Sequence, residues 1–310
     1  MNIDAKELSF FNDKTVLITG AGGMLGLAFT NLLKQNAPHC KLISLAHQEL
    51  DVTNSSTVLN LAKSNSFDAV IHCAANVNAD YCEEHEQECF DVQVTGVKNV
   101  MALAALSNAK FFYPQSFLIY GENDGIVDED TLPSPLSVYG RCKYEAEKML
   151  LKDYANTIIV RMGGFFGGEE KDKNFVGKFI PHIAGLIKKG QPQQEIGPRV
   201  WQPTYTLDLA YNSLVLIAKN KNGIYNMAAH GQASFYNLAK EVTKCLNIDS
   251  KIAIVPADGN AINKKDIATR PSKLVMQNKR LQSEGLDFQR GWKESLHEYL
   301  NNPYFKNLLL

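Results

Sequence analysis

The chain predicts a doubly wound α/β fold: a parallel sheet covered by helices on both faces, joined to a smaller, discontinuous C-terminal α/β lobe. Three observations predict it. Short β-branched or apolar runs alternate with helix-length amphipathic segments from residue 15 to residue 160, the rhythm of right-handed βαβ crossovers. A glycine-rich turn, Gly20-Ala-Gly-Gly23-Met-Leu-Gly26, follows the first of these runs directly. After Arg161 the alternation breaks into glycine clusters and mixed charge.

Taken in order, Thr15–Ile18 reads as a buried strand and Gly23–Lys34 as a helix with Leu25, Phe29 and Leu32 at helical spacing. Lys41–Leu45 is the second strand, and Asn54–Ser64 a helix capped by Asn54. Ala69–His72 is the third strand. Glu88–Ser107 reads as one long helix with Val94, Val97, Met101 and Ala104 on one stripe. Lys110–Gln115 is a strand, Ser137–Tyr154 a helix, and Thr157–Val160 a strand. Beyond them, Gly163, Gly164, Gly167, Gly168 and the charged run 169–174 predict a mobile loop. A helix over Phe175–Lys188, a turn-rich stretch over 191–206, a helix over Asp208–Lys219 and a strand over Gly223–Met227 follow. The tail predicts a helix at Ser234–Leu246, a strand at Lys251–Pro256, and a terminal helix with Trp292, Leu296 and Tyr299 on one face. The expected division is a dinucleotide-binding domain over 1–165 plus about 200–230, and a substrate-binding lobe over about 166–199 and 231–310.

The bulk properties exclude several classes. With 45% hydrophobic residues among 310, a large core is available. A formal net charge of −1 recommends neither nucleic acid nor an anionic membrane as partner. No apolar run reaches the roughly 18–20 residues of a membrane span, and MNIDAKELSFFNDK has no signal-peptide character. The six cysteines show no CxxC spacing, which predicts reduced thiols in a cytoplasmic protein. The histidines lack HxxH and HExxH patterns, and a polar helix start accounts for Asp80, Cys82 and His85. No metal is expected.

The glycine turn carries the first functional expectation. Gly20 permits a tight strand-to-helix turn, Gly23 lets backbone approach a pyrophosphate, and Gly26 lets helix pack on strand, with Met24 and Leu25 presented beside them. The helix N-terminus then offers free N–H groups and a positive dipole end to phosphates. At the end of the second strand, Ile43–His47 contains no acid, and His47 could accept a 2′-phosphate. The expectation therefore leans towards NADP(H), with NAD(H) open. Asp51 and Val52 lie where adenine could be contacted, although helix capping explains Asp51 equally well.

The second expectation is catalytic. The fourth strand runs into Ser116, and Tyr139 and Lys143 stand at i and i+4 on the next helix, facing one cleft. A nearby ammonium should lower the phenol pKa towards neutrality. Tyr139 is then a proton donor to a carbonyl, or a base towards a hydroxyl, and Ser116 polarises the same oxygen. YxxxK also occurs at Tyr144/Lys148 and Tyr236/Lys240. The first of these points elsewhere on the same helix, and the second belongs to the small lobe.

With these residues in place, the chain resembles the extended short-chain dehydrogenase/reductases, and among them the dTDP-4-dehydrorhamnose reductase family of sugar-nucleotide reductases. The resemblance runs through KTVLITGAGGMLG, LDVT, FDAVIHCAA, SFLIYG, YGRCKYEAE, PTYTLDLA, GIYNMA and ATRPSKL. It implies a Rossmann domain binding NADP(H) or NAD(H), a lobe gripping a nucleotide sugar, and reduction of a 4-keto group. It places Ser116, Tyr139 and Lys143 at the catalytic positions. Cys73, Ala74, Ala75, Arg161 and Gly163 fall beside the cofactor together with Tyr139 and Lys143, and Val77, Ser116 and Phe117 beside the substrate. Asn174, Trp201 and Arg270 are further substrate candidates, although packing accounts better for Trp201 and a surface salt bridge could hold Arg270. It also implies a homodimer formed through helices that include the YxxxK helix.

The departures concern the substrate. The family's Ser-Thr-Asp-Tyr run is Pro114-Gln-Ser-Phe117 here, its helix asparagine is Gln93, and its Asp-Gln pair is Pro198-Arg199. Phe117 and Leu118 lack the acids a 4,6-dehydratase requires, and Phe117 and Glu169 replace the cysteine and histidine of an epimerase–reductase. Two alternatives stay open: a nucleotide-sugar 4-epimerase that retains its NAD, and a non-catalytic dinucleotide-binding regulator.

Overall fold

The computed structural model describes residues 3–123, 125–257 and 266–308. Six strands, β1 (Thr15–Thr19), β2 (Lys41–Leu45), β3 (Ala69–His72), β4 (Lys110–Ser116), β5 (Thr157–Met162) and β6 (Gly223–Met227), form one sheet. Their order is β6-β5-β4-β3-β1-β2, and every pairing is parallel. The chain passes from β1 to β2 on one side and returns to β3 on the other. This reversal opens a crevice at the carboxyl ends of β1 and β3, where doubly wound sheets bind ligands.

Period-2 alternation sends neighbouring strand residues to opposite faces. Val16, Ile18, Phe112, Ile158 and Val160 join one core, while Leu17, Phe111, Tyr113 and Ile159 join another. The first is covered by α1 (Met24–Asn36), through Phe29, Leu32 and Leu33, and by a later helix over Thr206–Ala218. The second is covered by α2 (Ser55–Asn60), α3 (Gly96–Leu106) and α4 (Val138–Asp153). Asn54 caps α2 by accepting the Thr57 N–H at 3.1 Å.

The segment expected as one helix over 88–107 is interrupted. A helix over Glu86–Phe90 leads into a π turn at Asp91–Thr95, and only then into α3. The extra residue swings Gln93 inward, where its side-chain amide donates to the Asn76 carbonyl at 2.6 Å. The Gly96 Cα lies so close to Val52 that a Cβ would meet its Cγ2 at 2.8 Å.

A third core builds the C-terminal lobe from α5 (Phe175–Lys188), α7 (Phe235–Cys245) and α8 (Trp292–Leu300), with α6 naming the Thr206–Ala218 helix between them. The stretch 191–206, read as turns, holds three short strands. Gln193–Ile196 pairs with Ala253–Pro256, Val200–Trp201 with Ala233–Ser234, and Thr204–Tyr205 with Phe165–Phe166. Strands of two to four residues carry no readable period, and their partners are distant in sequence. Among the described residues, no helix is long and apolar enough to cross a membrane.

Candidate active site

The glycine turn is shaped by contacts that leave no room for side chains. Gly20 has φ +65°, and a Cβ there would overlap the backbone of Cys73 and Ala74. A Cβ on Gly26 would overlap the Gly20 carbonyl. Gly23 is the N-cap of α1 and places no side chain on its first N–H groups, so the helix terminus stays open to an anion. This cradle and the β1/β3 crevice fit a dinucleotide pyrophosphate. From the other side, Gly168 (φ +86°) approaches Met24, and the Asn174 amide donates to Phe165 O at 2.7 Å and contacts Met24 Sδ at 3.9 Å. Asn174 therefore ties the post-β5 loop to the glycine turn through its amide nitrogen.

At the adenosine end, His47 is exposed in the turn after β2. Asp51 accepts the Thr53 N–H at 2.9 Å and the Thr53 hydroxyl at 2.8 Å, which hold its carboxyl below the usual range. Asp51 thus closes a turn ahead of α2, whose N-cap is Asn54. Val52 points into the core rather than towards a ligand. One acid escaped the sequence reading: Glu49 folds back so that Oε2 accepts the Ala46 N–H at 2.8 Å, bringing a carboxylate to the end of β2.

The catalytic edge is assembled by β4, β5 and α4. Ser116 ends β4, and its Oγ accepts the Leu118 N–H at 3.1 Å, leaving its O–H free to donate. Ser137 caps α4 through the Gly140 N–H at 3.2 Å. Glu83 completes the cap by accepting the Val138 N–H at 2.9 Å, where a carboxylate also complements the helix dipole. A Cβ on Gly140 would overlap the Leu118 carbonyl, so α4 can press against the Ser116 turn only because glycine follows Tyr139. Behind them, Gln115 donates to the Lys143 carbonyl at 2.9 Å and to Glu147 Oε2 at 3.0 Å. Glu147 holds Arg161 in a bidentate pair at 2.6 and 3.2 Å. Both side chains are at most 3% exposed, and Arg161 also reaches the Tyr120 hydroxyl at 2.8 Å. Arg161 thus bolts α4 to the sheet and is not available to a cofactor.

Tyr139 lies in a buried cluster with Ala79, Cys82, Cys89, Val138, Cys142 and Ala268. Burial pushes its phenol pKa well up, and a hydrogen bond from Ser116 partly offsets the rise. The expected lowering by Lys143 is absent. Lys143 instead donates to the Pro114 carbonyl at 2.7 Å, with its ammonium 3.9 Å from the Tyr113 ring centre. Burial depresses the lysine pKa to about 7. The same ammonium acts on Cys73, and on His72, whose pKa falls to about 3 mainly through burial. Lys143 therefore acts on Cys73, whose backbone packs on Gly20 together with that of Ala74, and Ala75 after them is exposed.

Of the positions expected to touch substrate, Val77 is 64% exposed at the crevice loop and Phe117 is half-buried after Ser116. Trp201 is buried in the lobe core, in contact with Phe235 and so close to Gly164 that a Cβ there would overlap its ring. Arg270 is held by Asp80 at 2.9 Å and Asp266 at 3.4 Å. Gly163 packs its Cα against Gln202, Thr204 and Ala228. A cavity of about 340 Å³ lined by Gln202, Ala228, His230 and Asn278 opens at the end of β6 and includes none of the catalytic group. Tyr144/Lys148 and Tyr236/Lys240 are exposed-side cation–π pairs at 5.1 and 5.5 Å.

A parallel sheet with a glycine cradle at its switch point and a Ser/Tyr/Lys group at the adjoining strand ends defines an extended short-chain dehydrogenase/reductase. Comparison with known proteins narrows this: residues 14–305 match the family described as RmlD substrate binding domain, and the chain belongs to that family. Similar chains include a dTDP-4-dehydrorhamnose reductase of Aggregatibacter actinomycetemcomitans, 29% identical over 90% of this chain and 97% of the relative. The methionine adenosyltransferase 2 subunit beta of Bos taurus is 24% identical over 93% of this chain and 89% of its own. Among solved structures, a dTDP-4-dehydrorhamnose reductase of Clostridium acetobutylicum superposes with TM-score 0.85 at 28% identity, covering 93% and 98% of the two chains. The Bacillus anthracis dTDP-4-dehydrorhamnose reductase in complex with NADP gives 0.83 at 25% identity, covering 93% and 99%.

Proposed function

We propose that this chain is an NAD(P)H-dependent reductase of a 4-keto nucleotide sugar of the dTDP-4-dehydrorhamnose type, acting in deoxysugar and polysaccharide biosynthesis. One observation carries the reading: the Ser116 hydroxyl at the end of β4 hydrogen-bonds the buried Tyr139 phenol of α4, whose Lys143 acts electrostatically on Cys73, and the Cys73–Ala74 backbone packs on Gly20.

The dinucleotide would be held by the Gly20–Gly26 turn, the α1 N-terminus, the Cys73–Ala75 backbone, Lys143 and the His47/Glu49 turn; when bound, it supplies the hydride. The chain's own residues handle the oxygen that becomes the alcohol. Ser116, with its lone pair engaged by Leu118, donates its O–H to that oxygen. Tyr139 is kept protonated by burial, which suits a group that must deliver a proton as negative charge develops on the oxygen. Lys143, with a pKa near 7, changes charge easily at neutral pH and can return the proton. Cofactor and substrate would be divided between the six-stranded domain and the lobe over 166–199 and 231–310. Phe90, Leu106 and Leu151 are exposed on and beside the helices expected to pair in a homodimer. Light scattering that reports a monomer at micromolar concentration would remove that part of the proposal. Six unpaired thiols suit a cytoplasmic location.

The test is oxidation of NADPH or NADH in the presence of a dTDP-4-keto-6-deoxy sugar, wild type against Tyr139→Phe. Equal rates in the two proteins would defeat the assignment. Copurifying, non-exchangeable NAD would redirect it to a 4-epimerase, and binding without turnover to a regulatory role.

A further inference from the structure

The lobe carries three metal-type donors that the sequence order conceals. Glu241 and Cys245 stand at i and i+4 on the last turns of α7, so they share a face. His297 projects to the same point from α8. Its Nε2 lies 2.6 Å from Glu241 Oε1, and a ligand atom from each of the three residues falls within 4.8 Å of the other two. A tetrahedral zinc ion with its usual bond lengths holds donor atoms about 3 to 4 Å apart, so small rotamer adjustments bring these three into one coordination sphere.

We propose that Glu241, Cys245 and His297 form a binding site for a thiophilic divalent cation of the zinc class, bridging α7 and α8 with a fourth position open to water. The mixed sulfur, nitrogen and oxygen donors exclude magnesium and calcium as preferred ions and favour zinc. Glu241 already attracts a cation: Lys293 Nζ lies 3.5 Å from one of its carboxylate oxygens. That lysine is 62% exposed and free to withdraw. His297 is half-exposed, which gives an ion access, while Glu241 is largely covered and Cys245 half-buried. The thiol loses its proton on binding, as zinc-bound cysteines do. Because α7 and α8 both pack on the lobe core through Val242 and Leu296, an ion here would clamp a core that does not include Tyr139. The inference does not depend on the proposed reductase activity.

The full chain would be titrated with Zn²⁺ and Co²⁺. The wild type should retain one Zn²⁺ per chain through gel filtration, melt at higher temperature with zinc, and give a thiolate-to-cobalt charge-transfer absorption. Cys245→Ser should abolish that absorption. Cys245→Ser/His297→Ala should weaken zinc binding at least about tenfold, the scale on which even outer-shell losses act. Lys293→Met should tighten binding by removing the competing ammonium. No zinc retained by the wild type, equal zinc affinity in wild type and double variant, or a cobalt spectrum without a thiolate band would each overturn the site. Unchanged circular dichroism of the variants confirms that the fold persists.

Discussion

The glycine turn and the catalytic edge lie at the same end of one sheet and are built by opposite means. At Gly20 and Gly26 the site exists because side chains are missing, and backbone passes where a Cβ would collide. At β4, β5 and α4 it exists because charged and polar side chains are buried together: Gln115, Lys143, Glu147 and Arg161 are each at most 3% exposed. A steric site fails when atoms are added, and a buried polar network fails when one partner is removed.

The sharpest way to break this comparison is a pair of substitutions. Tyr139→Phe should lower turnover about 10²- to 10⁴-fold while leaving cofactor affinity nearly intact. Gly26→Ala should do the reverse, abolishing NADPH binding in a chain whose Tyr139 is untouched, as read by fluorescence titration. Next in size, Glu147→Ala leaves Arg161 buried without its partner and should cost about 3–5 kcal/mol of unfolding free energy in urea.

A smaller effect tests the electrostatics of the catalytic edge. Lys143 has a folded pKa near 7 against an ordinary value of 10.5, so between those values the unfolded chain binds more protons. Stability contributed by this group must then rise with pH, by about 1 to 2 kcal/mol between pH 7 and pH 9. Denaturation of the cofactor-free protein should show the slope, and Lys143→Met should lose it. The smallest effect belongs to the turn after β2. The Glu49 carboxylate beside Ala46 should repel a 2′-phosphate. Glu49→Gln should therefore shift preference from NADH towards NADPH by about two- to fivefold, the scale of an exposed charge. An unchanged ratio would assign Glu49 to turn capping alone.

The sheet was legible because its six strands are stretches of four to seven residues rich in β-branched, aromatic or other apolar side chains, with helix-length segments between them. Within the lobe the helix over Phe175–Lys188 was equally plain. The π turn at Asp91–Thr95 and the strand at Gln193–Ile196 were not, since neither leaves a local periodicity, whereas the partner strand at Ala253–Pro256 falls within the one expected over Lys251–Pro256. At the site, Tyr139, Ser116 and the glycines were found by spacing. Arg161 and Asn174 were expected beside ligands, and in the folded chain they bond to Glu147 and Phe165, while Trp201 packs on Phe235 and Arg270 pairs with Asp80, the structural roles weighed for them from sequence. The lysine's effect on the phenol was expected from i, i+4 adjacency, yet its ammonium is drawn to the Pro114 carbonyl instead.

The sequence by itself determined the layer order, the crevice and the identity of the proton-handling side chains, because these follow from hydrophobic period, glycine sterics and helical spacing, all of which act over a few residues. Only tertiary structure decided how those side chains are charged and held. Glu83 on Val138, Gln115 and Glu147 behind α4, Glu49 at β2 and His297 beside Cys245 are meetings between distant segments. Burial, which sets the ionisation of Tyr139 and Lys143, is a property of the packed chain, not of any stretch of it.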